Sequence, residues 1–205
     1  MTTRLFLARH GLTDWNTTGR FQGQSDIPLN TTGLRQAAAL GKRLATTEIN
    51  IVYSSDLLRA WGTAQAIMHY HSCPLTPEPR LREVNFGDWE GLTYNEIQER
   101  SPQVLSTWQA DVLNTAAPNG ETLNQLAERV QAVLDTITAD HPVGNVLLVA
   151  HGGSLQALLC LALGLSPQAY LQFSLSPASL SEVRLYSEGA TLNLLNDTCH
   201  LEAEE

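Results

Sequence analysis

Two short apolar runs, Arg4–Ala8 (RLFLA) and Asn145–Ala150 (NVLLVA), each lead directly into a histidine and a glycine. The first continues as Arg9-His10-Gly11, the second as His151-Gly152-Gly153. Unbroken apolar runs of strand length mark strands buried on both faces, which occur where helices cover a parallel sheet. Parallel strands need long crossover connections, and the sequence between the two runs supplies them. Leu34–Ala45 has apolar residues at helical spacing, with Thr31 or Thr32 as its N-cap. Ile49–Tyr53 reads as a short strand, and Asp56 as the N-cap of a helix over Leu57–Tyr70. Short helices are expected from Thr93 to Arg100 and from Pro102 to Leu113, within a less regular stretch. Thr122–Asp140 is the clearest helix. Its apolar stripe includes Leu126, Val130, Val133 and Ile137, Thr122 and Gln125 match a capping box, and Pro142 marks the stop. A further helix runs from Gly152 to Leu163. The chain then closes with strands Leu180–Tyr186 and Thr191–Leu195, a turn at Ser187–Ala190, and a tail, LEAEE, expected to fray. This pattern predicts one α/β domain over residues 1–205: a three-layer α/β/α sandwich with a mostly parallel sheet and a lid-like segment at about 84–120.

The 205 residues suffice for such a core without staples. Cys73, Cys160 and Cys199 are odd in number and far apart, which fits reduced thiols rather than disulfides. The N-terminal MTTRLFLARHG is too short in apolar residues for a signal peptide, and no run approaches the roughly 20 residues of a membrane span. A cytoplasmic protein without a membrane partner is expected. The net charge of −9 argues against nucleic acid as a partner. That charge is uneven: residues 1–59 hold seven bases and four acids, the remainder five bases and seventeen acids. Eleven of the twelve bases are Arg, the side chain suited to bidentate recognition of phosphate or carboxylate.

In sheets of this class ligands bind beyond the carboxyl ends of the strands. Neighbouring strands lie about 5 Å apart, so His10 and His151 can face one pocket there. The helix that Gly152 opens offers free N–H groups, an anion site. Arg9 precedes His10, and Arg59 lies on the helix after the second strand. Two Arg, two His and a helix start can neutralise a phosphoryl group through its transfer. One imidazole, kept neutral by the positive charge around it, can attack phosphorus; the residues themselves leave open which. The departing alkoxide then needs a proton, and Glu83 in Leu81-Arg82-Glu83 is the candidate carboxyl. No Asp/His cluster has metal-site spacing, so neither metal nor cofactor is expected.

Five segments stand in order along the chain. They are Leu7-Ala8-Arg9-His10-Gly11-Leu12-Thr13-Asp14-Trp15-Asn16, Ser54-Ser55-Asp56-Leu57-Leu58-Arg59-Ala60, Leu81-Arg82-Glu83-Val84-Asn85-Phe86-Gly87-Asp88-Trp89-Glu90-Gly91, Asn119-Gly120-Glu121, and Val149-Ala150-His151-Gly152-Gly153. Arg-His-Gly alone carries little weight. Together the five resemble the histidine phosphatase superfamily, with its phosphoglycerate mutase-like fold. The resemblance implies that His10 is the nucleophile that forms a phosphohistidine and that Arg9, Arg59 and His151 form the phosphate pocket. It also implies that Asn16 touches the phosphate and that Glu83 gives and takes the proton. The implied enzyme is a phosphomonoester hydrolase of the histidine acid phosphatase type acting on a small-molecule phosphomonoester. Many members of the family form homodimers.

Mutases of this family place cations for a second phosphate or a carboxylate in an insertion after the catalytic Glu. Residues 84–120 here hold one base, Arg100, against Asp88, Glu90, Glu96, Glu99 and Asp111, with Glu121 just beyond. That balance opposes a bisphosphate, and the chain is shorter than the mutases. A phosphatase is therefore expected over a cofactor-dependent phosphoglycerate mutase. With the catalytic positions filled, it is also expected over a non-catalytic binding module. Phe86-Gly87-Asp88-Trp89-Glu90-Gly91 is similar to the α-ribazole phosphatase and broad-specificity branches. An aromatic rim of Phe86, Trp89, Tyr94 and Trp108 would suit one phosphate on a neutral or aromatic body, such as α-ribazole 5′-phosphate.

Overall fold

The computed structural model describes residues 2–204. The chain runs β1 (Thr3–Arg9), α1 (Asp14–Thr17), α2 (Thr31–Leu44), β2 (Ile51–Ser54), α3 (Leu58–Met68), β3 (Leu75–Pro77), α4 (Tyr94–Arg100), α5 (Pro102–Ala110), α6 (Leu123–Asp140), β4 (Gly144–Ala150), α7 (Gly152–Ala162), β5 (Leu180–Tyr186) and β6 (Gly189–Asp197). Turns of 3-10 helix lie at Pro79–Leu81, Gly87–Trp89, Pro167–Gln172 and Cys199–Glu204.

The six strands form one sheet in the order β3-β2-β4-β1-β5-β6. The first four are mutually parallel, β5 runs antiparallel to β1, and β6 antiparallel to β5. The two apolar runs are neighbours at the centre, Thr3 opposite Gly144 and Arg9 opposite Ala150. Their alternate residues serve opposite faces. Leu5, Leu7, Val146 and Leu148 pack under Val130, Val133 and Ile137 of α6 and Leu155 and Leu158 of α7. Phe6, Ala8, Leu147 and Val149 pack under Leu40 and Leu44 of α2 and Ala60, Ala64 and Ile67 of α3. With both faces covered, neither strand has a polar side, which is why the sequence shows no alternation there. Each fully buried Leu or Ile adds about 1.5–3 kcal/mol. This is the expected three-layer sandwich, and because β1, β2 and β4 are parallel, they deliver His10, Ser55 and His151 at one edge.

Several local expectations change. Asn30, not Thr31 or Thr32, caps α2, its Oδ1 accepting from the Gly33 N–H at 2.8 Å. Asp56 is not an N-cap: its carboxylate takes the Arg82 guanidinium at 2.7 and 2.5 Å, and α3 starts at Leu58 with no side-chain cap. The edge strand β3 has only three residues and ends on Pro77, too little pattern to show in the sequence. Helix α5 stops at Ala110. The tail folds into the Cys199–Glu204 turn rather than fraying, and Glu205 lies outside the described residues. The segment at 84–120 has a small core of its own, Trp89, Ile97, Leu105 and Ala117, to which Phe21, Phe86 and Trp108 add. Among the described residues no helix is long and apolar enough to cross a membrane.

Candidate active site

The floor of the site is the strand edge. Backbone bonds sew His10 in place: its N–H donates to the Ala150 carbonyl at 3.0 Å and its carbonyl accepts from the Ala178 N–H at 3.0 Å. The buried rings of His10 and His151 stand 5.1 Å apart, tilted by 60°. His10 Nδ1 lies 2.7 Å from the Gly11 carbonyl oxygen. A carbonyl only accepts, so Nδ1 carries the proton and Nε2 keeps its lone pair. Gly11 must be glycine: a Cβ there would lie 2.5 Å from the Gly33 carbonyl oxygen. His151 Nε2 pairs with Ser55 Oγ at 2.8 Å, and its Nδ1 is buried with no partner. Burial above all, then Arg59 and other nearby positive charge, holds both imidazoles well below the ordinary 6.5. Both rings are therefore neutral at pH 7.

Two guanidinium groups flank the rings. Arg59, on α3, is fully buried; its Nη1 donates to the Ser25 carbonyl at 2.8 Å and its Nη2 to the Gly23 carbonyl at 2.7 Å. Burial lowers it to about 10 against the opposing pull of Glu83, Asp26 and Glu90, so it stays charged at pH 7. Arg9 Nη1 donates to the Leu175 carbonyl, and burial lowers this group too, with Glu83 opposing. The Nε atoms of Arg9 and Arg59 are, like His151 Nδ1, buried without partners. A buried donor left unpaired costs about 1–3 kcal/mol, a cost that an anion with several acceptor oxygens would remove. Thr13 caps α1 and Asn16 closes the capping box, its Oδ1 accepting from the Thr13 N–H at 3.1 Å and from Thr13 Oγ1 at 3.1 Å. Its NH2 is left without a partner among the described residues.

Glu83 occupies the start of α7. Its carboxylate accepts from the N–H groups of Gly153 at 3.1 Å, Ser154 at 3.3 Å and Val84 at 2.9 Å. The anion at this helix start is thus the protein's own carboxylate. Gly152 lies beneath, where a Cβ would stand 3.6 Å from Arg9 Cζ and 3.7 Å from Glu83 Oε2. At Gly153 a Cβ would come within 2.5 Å of Glu83 Oε1. Sequence reasoning missed what holds Glu83 there. Arg129 donates to the carbonyls of Arg80 and Arg82, both at 2.7 Å, and of Glu83 at 2.8 Å. It also pairs with Glu121 at 2.5 Å, while Glu121 accepts from the Asn85 N–H at 2.9 Å. The available signals were Asn119-Gly120-Glu121 and the fact that Arg129 is the single cation of α6.

A cavity of about 260 Å³ opens here, with Arg9, His10, Asn16, Arg59 and Glu83 on its wall together with Phe21 and Phe86. His151 stands behind His10 and Gly152 below Arg9, neither on that wall. The expected aromatic rim is not formed by the four residues named for it. Only Phe86 faces the cavity. Trp89 is buried edge-on against Trp108 at 5.4 Å, because the 84–120 segment needs them for its own core. Tyr94 is exposed, its hydroxyl 3.0 Å from Gln109 Nε2. Among the described residues no group of three or more His, Cys, Asp or Glu could hold a metal ion.

Residues 5–198 match the profile of the histidine phosphatase superfamily, branch 1. The metal-independent phosphoserine phosphatase of Arabidopsis thaliana is 37% identical over 97% of this chain and 83% of its own length. The protein named probable phosphoglycerate mutase GpmB of Yersinia pestis is 37% identical over 97% of this chain and 95% of its own. The crystal structure of the alpha-ribazole phosphatase from Shigella flexneri superposes with a TM-score of 0.89 at 29% identity, covering 95% of this chain and 96% of that one.

Proposed function

Because the chain belongs to the histidine phosphatase superfamily and is a phosphomonoester hydrolase, we propose that it works without a metal, through a phosphohistidine on His10. The observation that carries this reading is the neutral His10 ring, fixed by the Gly11 carbonyl with Nε2 free, between the buried Arg59 and the half-buried Arg9. Nε2 attacks phosphorus in line with the ester oxygen, the P–O bond breaks, and the leaving oxygen takes a proton from Glu83, one that the carboxylate has first accepted from the bound phosphate monoanion. Glu83, now a carboxylate, takes a proton from water as that water attacks the phosphohistidine. The P–N bond breaks, inorganic phosphate leaves and His10 is regenerated. Arg9 and Arg59 neutralise the phosphoryl oxygens and the Asn16 NH2 helps to orient them, while the neutral His151 ring, with Nδ1 unpartnered, backs His10. Gly152 lies in ordinary contact beneath Arg9 and Glu83, and Gly153, with no side chain, lets the Glu83 carboxylate sit on the start of α7.

The substrate is a single phosphate on a small body, with α-ribazole 5′-phosphate as the lead ester. Phe21 and Phe86, edge to face at 4.9 Å on the cavity wall, suit a flat apolar body. A carboxylate such as that of phosphoserine or phosphoglycerate would need another free cation. The further one on the wall, Arg20, is already tied to Glu96 at 2.9 Å and to the Gly91 carbonyl at 2.5 Å. The same shortage weighs against mutase chemistry.

The test is phosphate release in EDTA from α-ribazole phosphate, phosphoserine, 3-phosphoglycerate and nitrophenyl phosphate. Release should persist in EDTA and fall about 10⁴-fold or more in His10→Ala. Loss of activity in EDTA, or turnover surviving in His10→Ala, sinks the mechanism. A preference of more than about tenfold, roughly 1.4 kcal/mol, for either carboxylate-bearing ester overturns the substrate ranking.

A further inference from the structure

Glu90 lies outside the set of groups placed around the phosphate, yet its carboxylate is among the most heavily bonded in the molecule. Oε1 accepts from the Gln24 N–H at 2.8 Å and the Phe86 N–H at 3.2 Å. Oε2 accepts from the Ser25 N–H at 2.8 Å and from Ser25 Oγ at 2.6 Å. The loop closes over this carboxylate because residue 23 is glycine: its φ is +51°, and a Cβ there would lie 1.9 Å from Glu90 Oε1.

The Gln24 N–H and the Gly23 carbonyl belong to one planar trans peptide and point in opposite directions. When Glu90 holds the N–H, it turns the carbonyl the other way, and that carbonyl is the acceptor of Arg59 Nη2 at 2.7 Å. The second acceptor, the Ser25 carbonyl, takes Nη1 at 2.8 Å from the residue whose N–H and hydroxyl Glu90 also holds. Two carbonyls fixed in this way define the plane of the Arg59 fork. Arg59 lines the cavity and its buried Nε has no partner, and a guanidinium binds phosphate by direction as much as by charge.

We propose that Glu90 is a positioning residue: through the 23–25 loop it sets the orientation of Arg59, so phosphate affinity depends on a carboxylate that does not touch phosphate. The inference rests on the phosphatase reading of the cavity. A residue that only staples the fold would, when changed, lower thermal stability and the active fraction but leave the affinity of the folded protein as it was.

The experiment measures vanadate inhibition and KM against kcat for nitrophenyl phosphate in Glu90→Gln, with melting followed in parallel. The glutamine keeps the shape but replaces one acceptor oxygen with a donor facing N–H groups. The expected result is a rise in Ki and KM of about tenfold with kcat changed less than about threefold. In the Arg59→Lys background, which lacks the fork, the same change should move Ki less than about twofold. Gly23→Ala pushes the loop off the carboxylate without altering either charge and should raise Ki in the same way, which covers the case of Glu90→Gln failing to fold. An unchanged Ki with a lowered melting temperature overturns the inference, as does an equal rise with and without Arg59. Wild-type protein that neither hydrolyses the ester nor binds vanadate would instead remove the phosphatase reading itself.

Discussion

His10 and Glu83 share one cavity, yet their backbones are held by different means. His10 ends a strand, and its N–H and carbonyl continue the sheet ladder to Ala150 and Ala178. Glu83 sits in irregular chain between two 3-10 turns, and its carbonyl is taken by side chains from elsewhere, Arg129 Nη2 at 2.8 Å and Gln24 Nε2 at 3.3 Å. Around it the Arg129–Glu121 and Arg82–Asp56 pairs and the Glu90 carboxylate replace the missing ladder. Repeating backbone bonds place a group through the register of the whole sheet. Irregular chain needs dedicated, partly buried charges to reach the same definition, and each is a single point of failure.

Three changes test that contrast. Glu83→Gln removes the proposed proton donor and leaves the strand-built floor intact. Turnover of alkyl phosphates should fall by about 10²–10⁴. Nitrophenyl phosphate, whose leaving group needs little protonation, should be slowed far less, with vanadate affinity near that of the wild type. Equal slowing of both esters would count against Glu83 as the acid. Next, Arg129→Leu strands the Glu121 carboxylate and removes a donor from the carbonyls of Arg80, Arg82 and Glu83, of which that of Glu83 keeps Gln24. Urea titration should show a loss of about 3–5 kcal/mol. Activity at temperatures where the variant is folded should drop with a displaced pH profile, since the irregular chain that carries Glu83, an arch over residues 80–86, loosens. Full stability in this variant would mean that the arch is held by packing alone.

The smallest effect concerns the floor. His10 and His151 are held below the ordinary 6.5 by burial and by Arg59, so on acidification the unfolded chain binds protons that the folded chain refuses. Their contribution is complete above about pH 6.5 and is lost as the pH falls below it, at up to about 1.4 kcal/mol per pH unit for each ring. Carboxylates lowered by Arg partners, such as Asp56 and Glu182, are lost only as the pH falls below their ordinary 3.8 and 4.5. Between about pH 6.5 and 4.5 the stability slope therefore belongs to histidine, and His10→Ala should make it shallower in urea titrations. An unchanged slope would show that His10 protonates freely in the folded state.

Legibility in the sequence follows the same division. The central strands were readable because burial on both faces leaves an unbroken apolar run, and α6 because its stripe, capping box and stop agree. His10, Arg9 and His151 stood at strand ends, where the fold class directs attention. The arch could not be read this way. Arg129 contacts carbonyls of residues 80–83, almost fifty positions away, and backbone acceptors carry no side-chain signature. Asp56 looked like a cap because caps are local, whereas its partner, Arg82, is distant. Trp89 and Trp108 suggested a rim because nothing in sequence says that the 84–120 segment must build a core of its own.

The seat of Glu83 on the start of α7 also acts as a ruler. His10 hangs from the carbonyl of Ala150, His151 is the next residue, and Gly153 and Ser154 hold the Glu83 carboxylate. The spacing between the two imidazoles and the acid is therefore marked off along five consecutive residues, 150–154, while the arch serves only to bring the carboxylate to the mark. One residue added or removed within 150–154 would put all three groups out of step at once.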